Sequence, residues 1–221
     1  MDKKQQISIT LCIVIFLMAV AGSIMCFGEI YVVQTKALDH GINLLKFFTV
    51  QSNILAGITA FVYIIFLLHK NKTQKPIPVW VRILRLVATL DLIITFLVVA
   101  LFLGFIVEEG YFSMYVNANF FFHFAIPVLN FFSFTFFEDA PKLKFKHTFY
   151  GMAHLCLYII FYLVMVLTHF DYQTGKIDLL YDWYAFAQAG LLVAFACAIA
   201  LLGIGYLITF LLYKLNNKRK N

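Results

Sequence analysis

The feature that most constrains this chain is a series of apolar runs of about 20 residues or more, separated by short polar stretches. Runs of that length match the hydrocarbon core of a bilayer, whereas a buried helix of a soluble protein rarely needs them. Composition agrees, because only 13% of the residues are charged, against about 25% in a typical soluble domain. The sequence therefore predicts an integral membrane protein.

Six spans can be drawn, and their short connections leave room for one compact all-α bundle over residues 1–213, without a separate soluble domain. The predicted spans cover residues 8–33, 44–69, 80–107, 115–137, 149–170 and 186–213. The first run follows two lysines, as a signal peptide would, but it is too long for a secretory core and lacks a clean small-x-small cleavage site. We expect it to be retained as a span, and we expect residues 214–221 to form a mobile, basic, cytoplasmic tail.

The basic residues predict the orientation of the bundle. Fourteen of the seventeen Lys and Arg residues lie near the N-terminus, in the second and fourth connections with their helix ends, or near the C-terminus. This count places Arg82 and Arg85 at a cytoplasmic helix end, and only Lys36, Lys46 and Lys176 fall on the opposite side. The positive-inside rule therefore predicts that both chain ends are cytoplasmic.

The same charge distribution bears on the partners of the chain. No basic stripe is interleaved with exposed aromatic residues, so nucleic-acid binding is not expected despite the net charge of +6. Lysine outnumbers arginine 14 to 3, which is compatible with an AT-rich bacterial genome and hence with the cytoplasmic membrane of a bacterium. The four cysteines lie in predicted spans without paired spacing, so we expect buried thiols, no metal site and no cofactor.

The second predicted span carries three polar residues near its start. Thr49, Ser52 and Asn53 are three and four residues apart, so they share one face of the helix. Taken alone, such residues often hydrogen-bond only to a backbone carbonyl or to a neighbouring helix.

A polar stripe also runs along the fourth predicted span. Asn119, His123, Pro127 and Asn130 recur at helical spacing in a helix that is otherwise mostly Phe, Leu and Ile. At 1.5 Å per residue, Thr49 lies about 8 Å and His123 about 12 Å from the outer membrane boundary. We therefore expect the two residues to occupy one layer, and a histidine at that depth needs a partner or a cavity.

Asp91 is the other residue whose position in the membrane costs free energy, because this ionisable side chain lies near the middle of the third predicted span. It is expected either to pair with a histidine or to be protonated, and an ion-conducting role stays open. His154 and His169 are expected nearer the membrane boundaries, as interfacial polar residues.

Two of these stretches resemble a known family. Residues 46–53, with the sequence KFFTVQSN, resemble the opening of the second helix in the androgen-induced-protein family and its bacterial relatives. Asn119, three further residues and His123, followed by Pro127, resemble the histidine-bearing helix of that family, which Glu138 closes in a similar way. The proline spacing and the QSN triplet are closer to the bacterial branch.

Animal members of that family are threonine hydrolases that cleave fatty-acid esters of hydroxy fatty acids. The resemblance implies a membrane-embedded hydrolase of an amphipathic lipid or fatty-acid ester, with Thr49 as nucleophile and His123 as base. A threonine hydroxyl needs a base within hydrogen-bond reach to become nucleophilic. Ser52, Asn53 and Asn119 are the candidates to orient the imidazole or to stabilise an oxyanion, and the sequence does not choose among them.

Two other classes of function remain open. A channel or small transporter that uses Asp91 and His123 would need a continuous hydrophilic path, and the largely apolar inner halves of the spans count against it. A non-catalytic lipid-binding protein would keep the fold and an apolar pocket but leave its ligand unchanged. The substrate and the oligomeric state are not determined by the sequence.

Overall fold

The computed structural model describes residues 1–28, 41–107, 110–139 and 141–218, which fold mainly into helices. The long helices are α1 Lys3–Phe27, α2 Phe48–Thr73, α3 Val79–Leu103, α4 Ala118–Phe137, α5 Ala153–His169 and α6 Leu191–Lys218. Five of them are long and apolar enough to cross a membrane, and α5 is an apolar helix of 17 residues that follows the short helix His147–Gly151. The described chain is therefore all-helical, as expected of a multi-pass membrane protein.

The starts of α1 and α2 differ from the predicted span boundaries for local reasons. α1 begins at Lys3 because a capping box precedes it, in which the Asp2 side chain accepts the Gln5 N–H at 2.7 Å. The predicted end of this span, residues 29–33, lies outside the described residues. α2 begins four residues later than predicted, because Gly41–Lys46 forms a 3₁₀ helix and Phe47 is extended.

The last helix also differs from the prediction, at both of its ends. It begins at Leu191 instead of residue 186, directly after Gly190, whose φ of +110° favours glycine. It then continues through Lys218, so residues 214–218 are helical where the sequence predicted a separate tail. The side-chain amide of Asn217 bonds both the N–H and the carbonyl of Leu143, which anchors this end of the chain.

α3 is the central helix of the bundle. It packs against α2, α4, α5 and α6. In its most apolar stretch of 18 residues, 56% of the residues are buried, against 28% for α1 and 22% for α6. It also carries three fully buried charged residues, Arg82, Arg85 and Asp91. We call the end where α1 begins and α6 ends the termini end, and the opposite one the far end.

Two segments outside the long helices cover the far end. One is the 3₁₀ helix Gly41–Lys46, and the other is the connection between α5 and α6, residues 170–190. Within the second segment the Asp182 carboxylate accepts the N–H groups of Ala187 and Gln188, at 2.9 and 3.0 Å, and the Tyr162 hydroxyl donates to Asp182. Trp183, the next residue, is buried, and its indole N–H donates to the Tyr158 hydroxyl at 3.0 Å.

Candidate active site

The first turn of α2 is held by tyrosine hydroxyls instead of a side-chain cap of its own. Amides at the start of a helix lack intrahelical acceptors, and the Phe48 N–H lies 3.1 Å from the hydroxyl oxygens of both Tyr158 and Tyr184. Tyr158 in turn donates to the Lys46 carbonyl at 2.7 Å and accepts the Trp183 indole N–H at 3.0 Å. This network joins α2, α5 and the 170–190 segment around the turn that carries Thr49.

Tyr184 belongs to the segment that covers the helices, and it is partly buried there. Burial raises the pKa of its phenol above the ordinary value, so the group stays protonated around neutral pH. Its hydroxyl lies 3.2 Å from that of Tyr158. A protonated hydroxyl at this position can donate a hydrogen bond beside Thr49.

Thr49 lies in the wall of an apolar cavity of about 350 Å³ between α3, α5 and α6. Among its lining residues the hydroxyl-bearing side chains are Thr49, Thr95, Tyr158, Tyr162 and Tyr184. Small residues of α6, including Ala194 and Ala198, leave the space open. The volume is in the range of small-molecule pockets, and a lining this apolar suits a hydrocarbon chain. We call this space the lipid cavity.

Ser52 and Asn53 connect the Thr49 turn to its neighbours. The Ser52 hydroxyl lies 3.1 Å from the Thr95 hydroxyl and donates to the Thr49 carbonyl at 3.0 Å. The Asn53 amide donates to the Thr49 carbonyl at 2.8 Å and to the Phe122 carbonyl at 3.1 Å. The helices that carry Thr49 and His123 therefore touch in the layer where the sequence placed both residues.

His123 lies in a π-helical turn, Phe121–Ala125. Pro127 explains the wide turn, because proline has no N–H to bond the carbonyl four residues earlier, which is that of His123. The imidazole is buried, and its Nδ1 lies 2.8 Å from the Met114 carbonyl. A carbonyl only accepts, so Nδ1 carries the proton and Nε2 of the neutral ring is left unprotonated, as a base requires.

Thr49 and His123 are not directly bonded. Among the described residues no hydrogen bond joins the Thr49 hydroxyl to the imidazole of His123, and His123 is not among the residues that line the lipid cavity.

Phe122 fixes the position of the π-helical turn, because its ring packs on Gly22 of α1, where an added Cβ would lie 2.5 Å from the ring.

Asn130, another polar residue of the fourth span, bonds to α3 and not to His123. The Asn130 amide donates to the Thr89 hydroxyl of α3 at 2.9 Å, and this hydroxyl donates to the Arg85 carbonyl at 2.6 Å. Asn119 is buried in the first turn of α4, with its backbone N–H bonded to the Val116 carbonyl at 3.1 Å. Asn53 is therefore the supporting residue that bonds to both turns, through the carbonyls of Thr49 and of Phe122, the residue before His123.

Asp91 is paired with His154, a residue that sequence reasoning assigned to the membrane boundary. The buried carboxylate accepts from Nδ1 of His154 at 2.7 Å, and Nε2 of the same ring lies 3.1 Å from the Gln51 side-chain oxygen. Asp91 is in the middle of α3, so this histidine lies deeper than expected. The signal in the sequence was Asp91 itself, because a carboxylate in an apolar span needs a partner.

Arg82 and Arg85 form a second buried cluster, nearer the termini end. Both side chains are fully buried and share Glu138, with distances of 2.6 Å from Arg82 Nη1 and 2.7 Å from Arg85 Nε. Both arginines lie in the first two turns of α3, the helix end to which the sequence assigned them, and the carboxylate at the end of α4 binds both of them inside the bundle. In the part of the chain that the structure describes, no group of three His, Cys, Asp or Glu residues is arranged to hold a metal ion.

Comparisons of the chain with protein-family models, curated proteins and solved structures found no match.

Proposed function

We propose that this protein is an integral membrane hydrolase that cleaves an ester of an amphipathic lipid, with Thr49 as nucleophile and His123 as base. The observation that carries the proposal is the position of Thr49, which lies in the wall of a largely apolar cavity. The resemblance of residues 46–53 and of the His123 stretch to the androgen-induced-protein family supports the same pair of residues.

The proposal includes a six-span topology with both ends in the cytoplasm. α5 would be the remaining span, together with residues 149–151 of the short helix that directly precedes it, in line with the predicted span 149–170. The excess of Lys and Arg at the termini end supports this orientation. The lipid cavity would then lie towards the outer half of the membrane, and a lipid would enter between α3 and α6.

The reaction would begin with the hydrocarbon chain of the substrate in the lipid cavity and its ester carbonyl at Thr49. Nε2 of His123 would take the hydroxyl proton as the Thr49 oxygen attacks the carbonyl carbon, and it would then protonate the departing alcohol. The buried hydroxyl of Tyr184 is a candidate donor to the oxyanion. Catalytic hydrogen bonds often tighten only with substrate bound, so we expect Thr49 and His123 to approach one another during this step.

The proposal is tested by labelling the detergent-purified protein with a fluorophosphonate probe. Wild type should be labelled, and Thr49→Ala and His123→Ala should lose the labelling while keeping the wild-type melting behaviour. The matched controls are Thr73→Ala and His69→Ala, because both residues are exposed and lie on the same helix as Thr49. Labelling that persists in Thr49→Ala would overturn the assignment of the nucleophile.

Two alternatives each have an observation in their favour. A non-catalytic lipid-binding protein fits the missing hydrogen bond between Thr49 and His123, and it predicts lipid binding without labelling. A small transporter fits the polar residues that continue along α3 towards the termini end, from Asp91 through Thr89 to Arg85. It predicts solute-dependent proton or ion flux in proteoliposomes that Asp91→Asn abolishes.

A further inference from the structure

A chain of four polar groups connects three long helices to the 3₁₀ helix at the far end. The Asp91 carboxylate of α3 lies 2.7 Å from Nδ1 of His154 on α5, and Nε2 of the same ring lies 3.1 Å from the side-chain oxygen of Gln51 on α2. The Gln51 NH₂ group donates to the carbonyl of Leu45 at 2.5 Å. The chain of bonds therefore runs from the middle of α3 to the 3₁₀ helix Gly41–Lys46.

The last bond of this chain fixes which atoms of Gln51 and His154 carry hydrogen. A backbone carbonyl only accepts hydrogen bonds, so the NH₂ group of Gln51 faces Leu45 and its oxygen faces His154. That oxygen also only accepts, so Nε2 of His154 is protonated. Nδ1 faces the Asp91 carboxylate at 2.7 Å, and two accepting atoms at this distance need a proton between them. Asp91 and His154 together thus hold one proton more than a carboxylate and a neutral imidazole would.

Water can reach this proton from a second cavity at the far end. The cavity has a volume of about 710 Å³, and its lining includes His154, Gln51 and Asn43. The His154 side chain is 24% exposed, whereas that of Asp91 is fully buried. One oxygen of the Asp91 carboxylate has no hydrogen-bond partner among the described residues. The proton can therefore exchange with solvent on the Nε2 side, while the carboxylate is shielded from it.

Loss of the additional proton would leave two accepting atoms face to face. The proton that stays on the ring would lie on Nδ1, because the Asp91 carboxylate only accepts, and the lone pair of Nε2 would then face the oxygen of Gln51. A half-turn of the Gln51 amide would satisfy Nε2, but it would place the amide oxygen against the Leu45 carbonyl. Gln51 can therefore bond to His154 and to Leu45 at the same time only while the additional proton is present.

The other ionisable groups around this imidazole come from three elements. Lys46 of the 3₁₀ helix, Tyr181 of the 170–190 segment and Tyr158 of α5 line the same cavity. Phe48 of α2 stacks on the ring, with centroids 5.6 Å apart, and carries no charge. Within the described part of the chain, the acidic group bonded to the ring is the carboxylate on α3.

From this geometry we infer that the Asp91–His154 pair is a proton-operated latch at the far end of the bundle. With the additional proton bound, the pair ties α3 and α5 to the first turn of α2 and, through Gln51, to the 3₁₀ helix Gly41–Lys46. When that proton leaves, Gln51 gives up one of its two partners, and the 3₁₀ helix loses a connection to the bundle. The inference does not depend on the proposed hydrolysis, since the candidate catalytic pair takes no part in it.

The experiment measures amide hydrogen exchange in residues 41–50 of the detergent-purified protein, from about pH 5 to about pH 10. Rates are expressed relative to those of Gln51→Leu at the same pH, because this variant cannot form the latch and the intrinsic pH dependence of exchange cancels. We expect wild type to exchange about 10-fold or more slowly than Gln51→Leu at low pH, since a hydrogen bond to a charged group holds the segment. The difference should vanish in one transition as the pH rises, and its absence at low pH would overturn the inference.

Asp91→Asn separates the latch from an ordinary ion pair. The substitution places an NH₂ group opposite Nδ1, so a neutral ring can keep Nε2 protonated and bonded to Gln51. We therefore expect this variant to stay protected across the whole pH range. Lys46→Gln and Tyr181→Phe should keep the wild-type transition. A transition that survives in Asp91→Asn, or that disappears in Lys46→Gln or Tyr181→Phe, would refute the latch.

A second measurement on the wild type keeps the test independent of how well Asp91→Asn folds. NMR of the histidine ring nitrogens, with the His154 signals assigned by their absence from His154→Gln, reports whether Nε2 carries a proton. It should be protonated at low pH and should lose its proton over the same range in which the exchange of residues 41–50 rises. An unprotonated Nε2 at low pH, or two transitions that do not coincide, would contradict the inference.

Discussion

The two buried polar clusters of this bundle differ in what surrounds their charges. At the termini end, Glu138 binds Arg82 and Arg85, and all three side chains are fully buried. Towards the far end, Asp91 binds His154 of α5, which lines a partly polar cavity of about 710 Å³ and stacks on Phe48, the residue before Thr49. The first cluster is closed to solvent, whereas the second borders a cavity.

This difference separates a structural role from a chemical one. A buried ion pair without access to a ligand cannot exchange protons with a substrate, and removing one partner leaves a charge stranded in a low dielectric. A buried carboxylate that orients a partly exposed histidine can act on a molecule that enters the neighbouring space. We therefore expect changes at the termini end to lower stability and changes at the far end to lower activity.

The largest expected effect is on Glu138. Glu138→Gln leaves two fully buried guanidinium groups without a carboxylate, which should lower the free energy of unfolding by about 3–5 kcal/mol. Thermal melting in detergent measures this loss. Asp139→Asn is the control, since its carboxylate pairs with Lys70 and both side chains are partly exposed. Such pairs contribute only about 0–1 kcal/mol. Equal losses in the two variants would contradict the closed character of the cluster.

The next prediction compares two positions on α6, one packed against a neighbouring helix and one that lines the lipid cavity. A Cβ added at Gly205 would lie 2.6 Å from the buried Leu155 side chain, so Gly205→Leu should cost about 1–3 kcal/mol through overpacking. Ala198→Leu fills the lipid cavity and should cost less, while slowing labelling by long-chain probes more than by short-chain ones. Equal labelling rates for both chain lengths would argue against a hydrocarbon chain in this cavity.

The Asp91 pair should contribute less to stability than the Glu138 cluster. Asp91→Asn keeps a hydrogen-bonding group beside His154, whose side chain is 24% exposed to solvent. We expect a loss of only about 1 kcal/mol, measured in the same melts. A loss as large as that of Glu138→Gln would mean that this cluster, too, is mainly structural.

The smallest effect concerns pH at the termini end. Burial, and then the positive charges of Lys146 and Lys144, lower the pKa of His147 below its ordinary value of 6.5. Its Nδ1 accepts the Lys144 N–H at 3.1 Å, so the folded protein favours the neutral ring. This contribution to stability is complete above pH 6.5 and is lost as the pH falls below that value towards the folded pKa. His147→Gln should flatten the melting temperature over that range.

The sequence by itself determined the class of the protein and part of the site. Apolar runs of membrane length predict helices because the backbone must satisfy its hydrogen bonds within each segment. The three- and four-residue spacing of Thr49, Ser52 and Asn53 placed them on one face, and Asn53 does contact the residue before His123. These inferences are local, since they follow from the periodicity of one helix.

Only the tertiary structure decided which polar groups meet. Asp91 binds His154 and Asn130 bonds to Thr89, while His123 is held by the Met114 carbonyl. Such pairings depend on how each helix is rotated and on how deeply the far-end segments enter the bundle. Helical spacing predicts the face on which a residue lies, but contact across an interface is set by the packing of the whole bundle, which no single span contains.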